Sequence, residues 1–150
     1  ARLEAAGRAL RWIRRAATPH TPEPAAWAAL NRLLDVFDAP PRPGEPSPEA
    51  RVAATGLALL GAVGWGLELG RCVRCGRVAS PGVAACLGAA EGGLVCRACG
   101  GAGLVLRPER RARLAAAAAG DVDALDASDV AVALDLVESA LAVHAGLAVE

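Results

Sequence analysis

Two Cys-x-x-Cys pairs constrain this chain more than any other feature. They read Cys72-Val73-Arg74-Cys75 and Cys96-Arg97-Ala98-Cys99, with twenty residues between them. A two-residue spacer lets both sulfurs of one tight turn point at a single ion, and two such turns at this separation form the donor set of a four-thiolate zinc site. Gly76 follows the first pair and Gly100-Gly101 the second, as expected of knuckle turns that need left-handed backbone. Zn²⁺ takes four such donors in a tetrahedron with Zn–S distances of about 2.3 Å. The reading is one structural Zn²⁺ on Cys72, Cys75, Cys96 and Cys99. With all four positions filled by protein, no place is left for a catalytic water. Segments 83–87 and 93–95 suit a small two- or three-stranded ribbon, too short and glycine-rich to be ordered without the metal.

The rest of the chain reads as helix. Residues 2–17 carry Leu3, Ala6, Leu10, Ile13 and Ala17 on one face and Glu4, Arg8, Arg11 and Arg15 on the other, an amphipathic pattern. The Arg11-Trp12-x-Arg14-Arg15 cluster offers either a base-stacking site with phosphate contacts or, favoured here, a solvated basic face with one packed tryptophan. Three prolines between Thr18 and Pro24 make a loop, in which His20 is solvated. Trp27, Leu30, Leu34 and Phe37 then form a second stripe expected to be buried.

An exposed, proline-rich linker spans Ala39 to Pro46. Ser47 as N-cap and Pro48 in the first turn restart a helix. Between Val52 and Val63 this helix is apolar on all sides, which places it at the centre of a bundle, with Gly56 and Gly61 allowing close helix approach. The run from Gly64 to Gly70 delivers the chain to the first cysteine pair, and Leu104-Val105-Leu106 leads out of the ribbon. Pro108 opens a further helix with Glu109 suited to its dipole, and Gly120 stops it. The last helix is capped by Asp126 or Ser128, carries the stripe Val130, Leu134, Val137, Leu141 and His144, and ends at Gly146. His144 is read as structural. The fold class is thus mainly α: a helical bundle with a four-cysteine zinc ribbon, residues 71–101, inserted between helices of a single domain.

Charge and composition narrow the function. Every cation is arginine, and the net charge is zero. From Arg71 to Arg113 there are eight arginines against Glu91 and Glu109, while beyond Arg113 only acids occur. The middle is basic and the tail acidic. No apolar run approaches the ~18–20 residues of a membrane span, and no signal-peptide layout is present. Five cysteines without a secretion signal read as intracellular, with metal preferred to disulfides. Cys86 is left over and reads as a small packed residue. No Gly-x-Ser-x-Gly and no phosphate-cradling loop with lysine is found, and no His stands with an acid at useful spacing; the chain is read as no enzyme. Asp121, Asp123 and Asp126 lack the glycine and glutamate of a calcium loop and are read as solvated acids. The chain starts at Ala1, inside a helical pattern, and is expected to be part of a longer protein.

Several of these segments together resemble a known family. They are Leu60-Gly61-Ala62-Val63-Gly64-Trp65-Gly66, then Leu69-Gly70-Arg71-Cys72-Val73-Arg74-Cys75-Gly76 and Ala90-Glu91-Gly92-Gly93-Leu94-Val95-Cys96-Arg97-Ala98-Cys99-Gly100, and finally Leu141-Ala142-Val143-His144-Ala145-Gly146. The order looks like the C-terminal region of the RecO family, bacterial recombination mediators in DNA repair. The resemblance implies a cytoplasmic, nucleoid-associated parent with an N-terminal OB-fold that binds single-stranded DNA and is absent here. It implies that the parent works with RecR and single-strand-binding protein to load RecA on single strands, and that it promotes annealing. The zinc ligands map onto Cys72, Cys75, Cys96 and Cys99.

Arg71, Arg74, Arg77, Arg97, Arg107, Arg110 and Arg111, with Arg113 beside them, are candidates for contact with DNA phosphates or with the acidic C-terminal tail of single-strand-binding protein. Pairing with the chain's own acidic last segment is the alternative for the same residues. Two other classes compete with the mediator reading: a zinc-ribbon module of another nucleic-acid-associated protein, and a thiol redox module.

Overall fold

The computed structural model describes residues 1–144. The chain runs α1 (Arg2–Ala16), α2 (Pro24–Asp38), α3 (Pro48–Ala62), β1 (Ala85–Gly88), β2 (Gly93–Leu94), β3 (Leu104–Leu106), α4 (Pro108–Ala118) and α5 (Val130–His144). It is mainly helical, with a small antiparallel sheet inserted between α3 and α4. Among the described residues, no helix is long and apolar enough to cross a membrane.

Helix α3 is the axis of the bundle, and α1, α2, α4 and α5 all pack on it. Its start is fixed locally: the Ser47 hydroxyl accepts from the Ala50 N–H at 3.1 Å, and Pro48 fills the first turn. Every residue from Ala50 to Leu57 is buried, as are Leu59 and Leu60. This is the outcome expected of a helix with no polar stripe. Gly56 is where neighbours come closest, since a Cβ there would lie 2.6 Å from the Trp12 ring and 2.9 Å from Val137 Cγ2. At Gly61 a Cβ would lie 4.0 Å from the Ala118 carbonyl oxygen at the end of α4, and the chain also folds back so that a Cβ on Gly66 would lie 3.1 Å from the Gly61 Cα.

Two helix faces differ from the sequence expectation for one reason. In α1 the buried residues are Ala5, Ala9, Trp12 and Ile13, while Leu3 is 86% exposed and Leu10 also faces solvent. In α2 they are Ala26, Ala29, Leu30 and Leu33, and Trp27 is 51% exposed. Leu34 and Phe37 are half-buried. Alanine sets both faces because short side chains permit close approach to α3, and dense packing contributes more than the bulk of any one residue. Trp12 is consequently core and unavailable to a base. Its indole donates to Glu138 Oε1 at 2.7 Å, and Arg15 pairs with the same carboxylate at 3.0 Å.

The last helix begins in a 3₁₀ turn, Ala127–Asp129, closed by reciprocal bonds between Asp126 and Asp129. Its buried residues are Ala133, Leu136, Val137, Ala140 and Leu141, with Val130 and Leu134 half-buried. His144 is exposed and stacks on Trp65, centroids 5.2 Å apart and planes 10° from parallel. The expected stop at Gly146 lies outside the described residues.

Two buried ion networks hold the helices together. Arg51 is 1% exposed, donates to Asp123 Oδ1 at 2.9 Å and lies 3.4 Å from Glu45, which also receives Arg2 at 2.9 Å. Asp123 is therefore a counter-ion to Arg51 while remaining exposed to solvent. Asp129 is wholly buried and takes a two-pronged contact from Arg113, at 2.7 and 2.9 Å, and a bond from Arg110 at 3.1 Å. Bidentate guanidinium–carboxylate geometry is the arrangement that best repays the desolvation of both charges.

The sheet has strand order β2-β1-β3. β1 pairs with β2 through Leu87 opposite Leu94, and with β3 through Cys86 opposite Val105 and Leu87 opposite Leu104. The third strand is the segment expected only to lead the chain away. Leu87, Leu94 and Leu106 point inward and join the helical core, as does Leu69 just before the first cysteine pair. Cys86 and Val105 are register partners on the opposite face.

Candidate metal centre

Each cysteine pair is shaped by its own backbone. In the first, the Cys72 N–H donates to the Arg77 carbonyl at 2.9 Å, the Gly76 N–H donates back to the Cys72 carbonyl at 2.9 Å, and Arg71 bridges Val78. Gly76 turns the chain at φ 75°, a conformation that would strain any residue with a Cβ. In the second, a 3₁₀ turn over Arg97–Cys99 ends in Gly100 at φ 107°, and the Gly101 N–H returns to the Cys96 carbonyl at 3.0 Å. The sheet brings the two together. The Val73 N–H donates to the Leu94 carbonyl at 2.8 Å, and the Val95 N–H to the Cys86 carbonyl at 2.9 Å.

The result is a four-sulfur cluster. The Sγ atoms of Cys72, Cys75, Cys96 and Cys99 all lie within 4.8 Å of one another, and those of Cys75 and Cys96 are 3.7 Å apart. A tetrahedron with metal–sulfur bonds of about 2.3 Å has edges of about 3.8 Å, so the donor set fits a tetrahedral thiophilic ion with little adjustment. Cys72 is buried and Cys75 exposed. The Cys96 N–H reaches the Cys72 sulfur at 3.3 Å. Hydrogen bonds from the Cys96 backbone, and then from that of Cys75, pull the Cys72 thiol down to about 6. Cys99 is pushed up to about 12, first by its hydrogen bond with Cys96 and then by that with Cys75. Four thiols this close titrate as one unit, and a divalent cation is what relieves their mutual repulsion. Cys86 stands apart from the cluster, half-buried in β1.

The candidate arginines divide into two groups. Arg71, Arg74, Arg77, Arg97 and Arg107 are exposed. Arg74 Nη1 donates to the Cys99 carbonyl at 2.8 Å. Arg110 is half-buried and Arg111 buried, and both are engaged by bonds within the protein. Arg110 is bound to Asp129 and to the Ser128 carbonyl. Arg111 is 8% exposed and donates to the carbonyls of Ala79 and Ser80, pinning the first knuckle's exit to α4. Arg113 pairs with Asp126 and Asp129. Pairing with the acidic last segment accounts for Arg110 and Arg113 and not for the arginines around the cysteines.

One surface was not anticipated. On the outer face of the sheet Val78, Val83 and Val105 are each more than half exposed. With Cys86 they border a groove of about 450 Å³ that Arg77 and Arg97 flank. The period-two alternation of Leu104, Val105 and Leu106 is the signal that could have found it, since Val105 must face away from the two leucines.

Compared with known proteins, the chain matches the family described as "Recombination protein O C terminal" over residues 1–149. No curated protein and no solved structure matches it.

Proposed function

This chain belongs to the recombination protein O C-terminal family, with a role in recombination and DNA repair, and from that premise we propose that it is the zinc-stapled protein-interaction domain of a RecO mediator. The carrying observation is the match across residues 1–149, in a chain four of whose five cysteines also converge. The proposed ion is a single Zn²⁺ on Cys72, Cys75, Cys96 and Cys99, holding structure and performing no catalysis. The proposed setting is the bacterial cytoplasm, as the C-terminal part of a longer protein that acts with RecR to load RecA on single strands.

The proposed partner of this surface is the acidic tail of single-strand-binding protein. Arg71, Arg77, Arg97 and Arg107 are exposed cations, and the valine groove between Arg77 and Arg97 suits a peptide that carries both carboxylates and an apolar side chain. Stacking of single-stranded DNA bases on this module is not part of the proposal. No Phe, Tyr or Trp occurs between residues 66 and 150, so bases have no aromatic ring in this module to stack on.

The test is titration of the protein with a fluorescent acidic tail peptide, followed by anisotropy. Saturable binding that is lost in the Arg77→Glu, Arg97→Glu double variant is expected. Absence of binding at high micromolar peptide would overturn the tail-docking role.

A further inference from the structure

The two knuckles are built separately and must be held in register for four sulfurs to meet. Each is closed by hydrogen bonds within itself, and the ties between them are few. The Val73 N–H donates to the Leu94 carbonyl, the Cys96 N–H reaches the Cys72 sulfur, and Arg74 Nη1 donates to the Cys99 carbonyl at 2.8 Å. The first two anchor the start of the second knuckle. Sulfur–sulfur contacts aside, among the described residues only Arg74 grips its far end, at the last ligand in the chain. Among the described residues the neighbouring Arg71, Arg77 and Arg97 make no such side-chain bond.

We propose that Arg74 is a positioning residue for the metal centre: its guanidinium fixes the Cys99 peptide and sets one positive charge beside the four thiolates. This rests on the reading of the cysteine cluster as a metal centre. Four thiolates around a divalent cation carry two net negative charges, and a nearby cation stabilises that state. The fork of Arg74 also fixes the direction in which the Cys99 carbonyl, and with it the Cys99 side chain, can point. An exposed hydrogen bond of this kind adds little to the stability of the fold. Its effect belongs at the metal, where groups that orient ligands typically change affinity by about 10–100-fold.

The asymmetry between the pairs sharpens the point. Cys72-Val73-Arg74-Cys75 and Cys96-Arg97-Ala98-Cys99 each hold one arginine between ligands, so simple charge proximity predicts equal roles. The geometry assigns the role to Arg74 alone.

The experiment compares wild type with Arg74→Ala, Arg74→Lys, Arg74→Gln and Arg97→Ala. Zinc affinity is read by competition with a chromophoric chelator, and ligand geometry by the cobalt–thiolate absorption of Co²⁺-loaded protein. Expected results are affinity about tenfold lower in Arg74→Ala with an altered cobalt spectrum, no change in Arg97→Ala, and partial recovery in Arg74→Lys or Arg74→Gln. Recovery by Lys and not by Gln assigns the effect to charge, and recovery by both assigns it to the hydrogen bond. Equal behaviour of Arg74→Ala and Arg97→Ala, whether both weak or both like wild type, would overturn the proposal while leaving the metal centre standing. Wild-type protein that holds neither ion would overturn the metal reading itself. Helical circular dichroism of each variant separates these outcomes from misfolding.

Discussion

Trp12 and Glu138 are 126 positions apart and joined by a 2.7 Å hydrogen bond from indole to carboxylate. The bond closes the bundle by tying the first helix to the last across the face of α3. Trp12→Phe keeps most of the buried ring and removes the donor. It should lower stability by about 1–2 kcal/mol in urea unfolding. Trp12→Ala should lose about 3–5 kcal/mol through the cavity it leaves. Equal small losses in both would show that the ring is not packed as described.

Gly56→Ala is a substitution that helix propensity favours by roughly 1 kcal/mol. Here the added methyl would meet the Trp12 ring at 2.6 Å and Val137 at 2.9 Å. Overpacking of that kind costs about 1–3 kcal/mol, so the net expectation is a lower thermal midpoint. The pairing with Trp12→Phe should be non-additive, because the two residues touch. A stabilised Gly56→Ala protein would contradict the close approach of α1 and α3.

Asp129 gives the fold a definite response to acid. Burial pushes its carboxyl up, but hydrogen bonds from Arg113, from the Asp126 backbone and from Arg110 outweigh burial and hold it below its ordinary value. Glu45 shifts the same way: burial is overcome by the Arg42 backbone, Arg2 and Arg51. A carboxyl depressed in the folded state stabilises the protein above its unfolded pKa, and that contribution is lost as pH falls through the folded value. Stability should therefore hold near neutrality and decline below about pH 4. Asp129→Asn should cost about 3 kcal/mol at neutral pH and flatten the decline. An unchanged acid profile in Asp129→Asn would refute the assignment.

Removal of the metal should act locally. Chelation is expected to open the cysteine turns within residues 71–101 while most helical ellipticity survives, as followed by circular dichroism and amide exchange. The inward leucines Leu87, Leu94 and Leu106 belong to the helical core, so their strands should exchange more slowly than the turns. Metal analysis should give one zinc per chain in wild type and Cys86→Ser, and none in Cys99→Ser. Loss of all helical signal with the zinc would mean that the staple holds far more than its own ribbon.

Features set by neighbours in sequence were the legible ones. The Ser47-Pro48 start, the apolar run of α3 from Val52 onward and both cysteine knuckles follow from spacers of a few residues. The helix faces were misread where large side chains were given more weight than alanine: Leu3 and Trp27 looked like core, and Ala5, Ala9, Ala26 and Ala29 turned out to be core. β3 was missed because its partner Cys86 lies nineteen positions back from Val105, a pairing that no local pattern encodes. The burial of Arg51 and Asp129 has no local signal in the sequence, because burial of a charge depends on counter-ions from distant segments.

The central place of α3 has a consequence for the order in which the protein is made. Synthesis proceeds from the N-terminus, so α3 emerges before α4 and α5, which cover much of it, and before Asp123, which Arg51 awaits across 72 positions. Until those segments appear, one side of the most deeply buried helix among the described residues is bare. The cysteine module has no such wait, since its four ligands fall between Cys72 and Cys99. On a nascent chain, the segment with the least hydrophobic core of its own can be the first to finish.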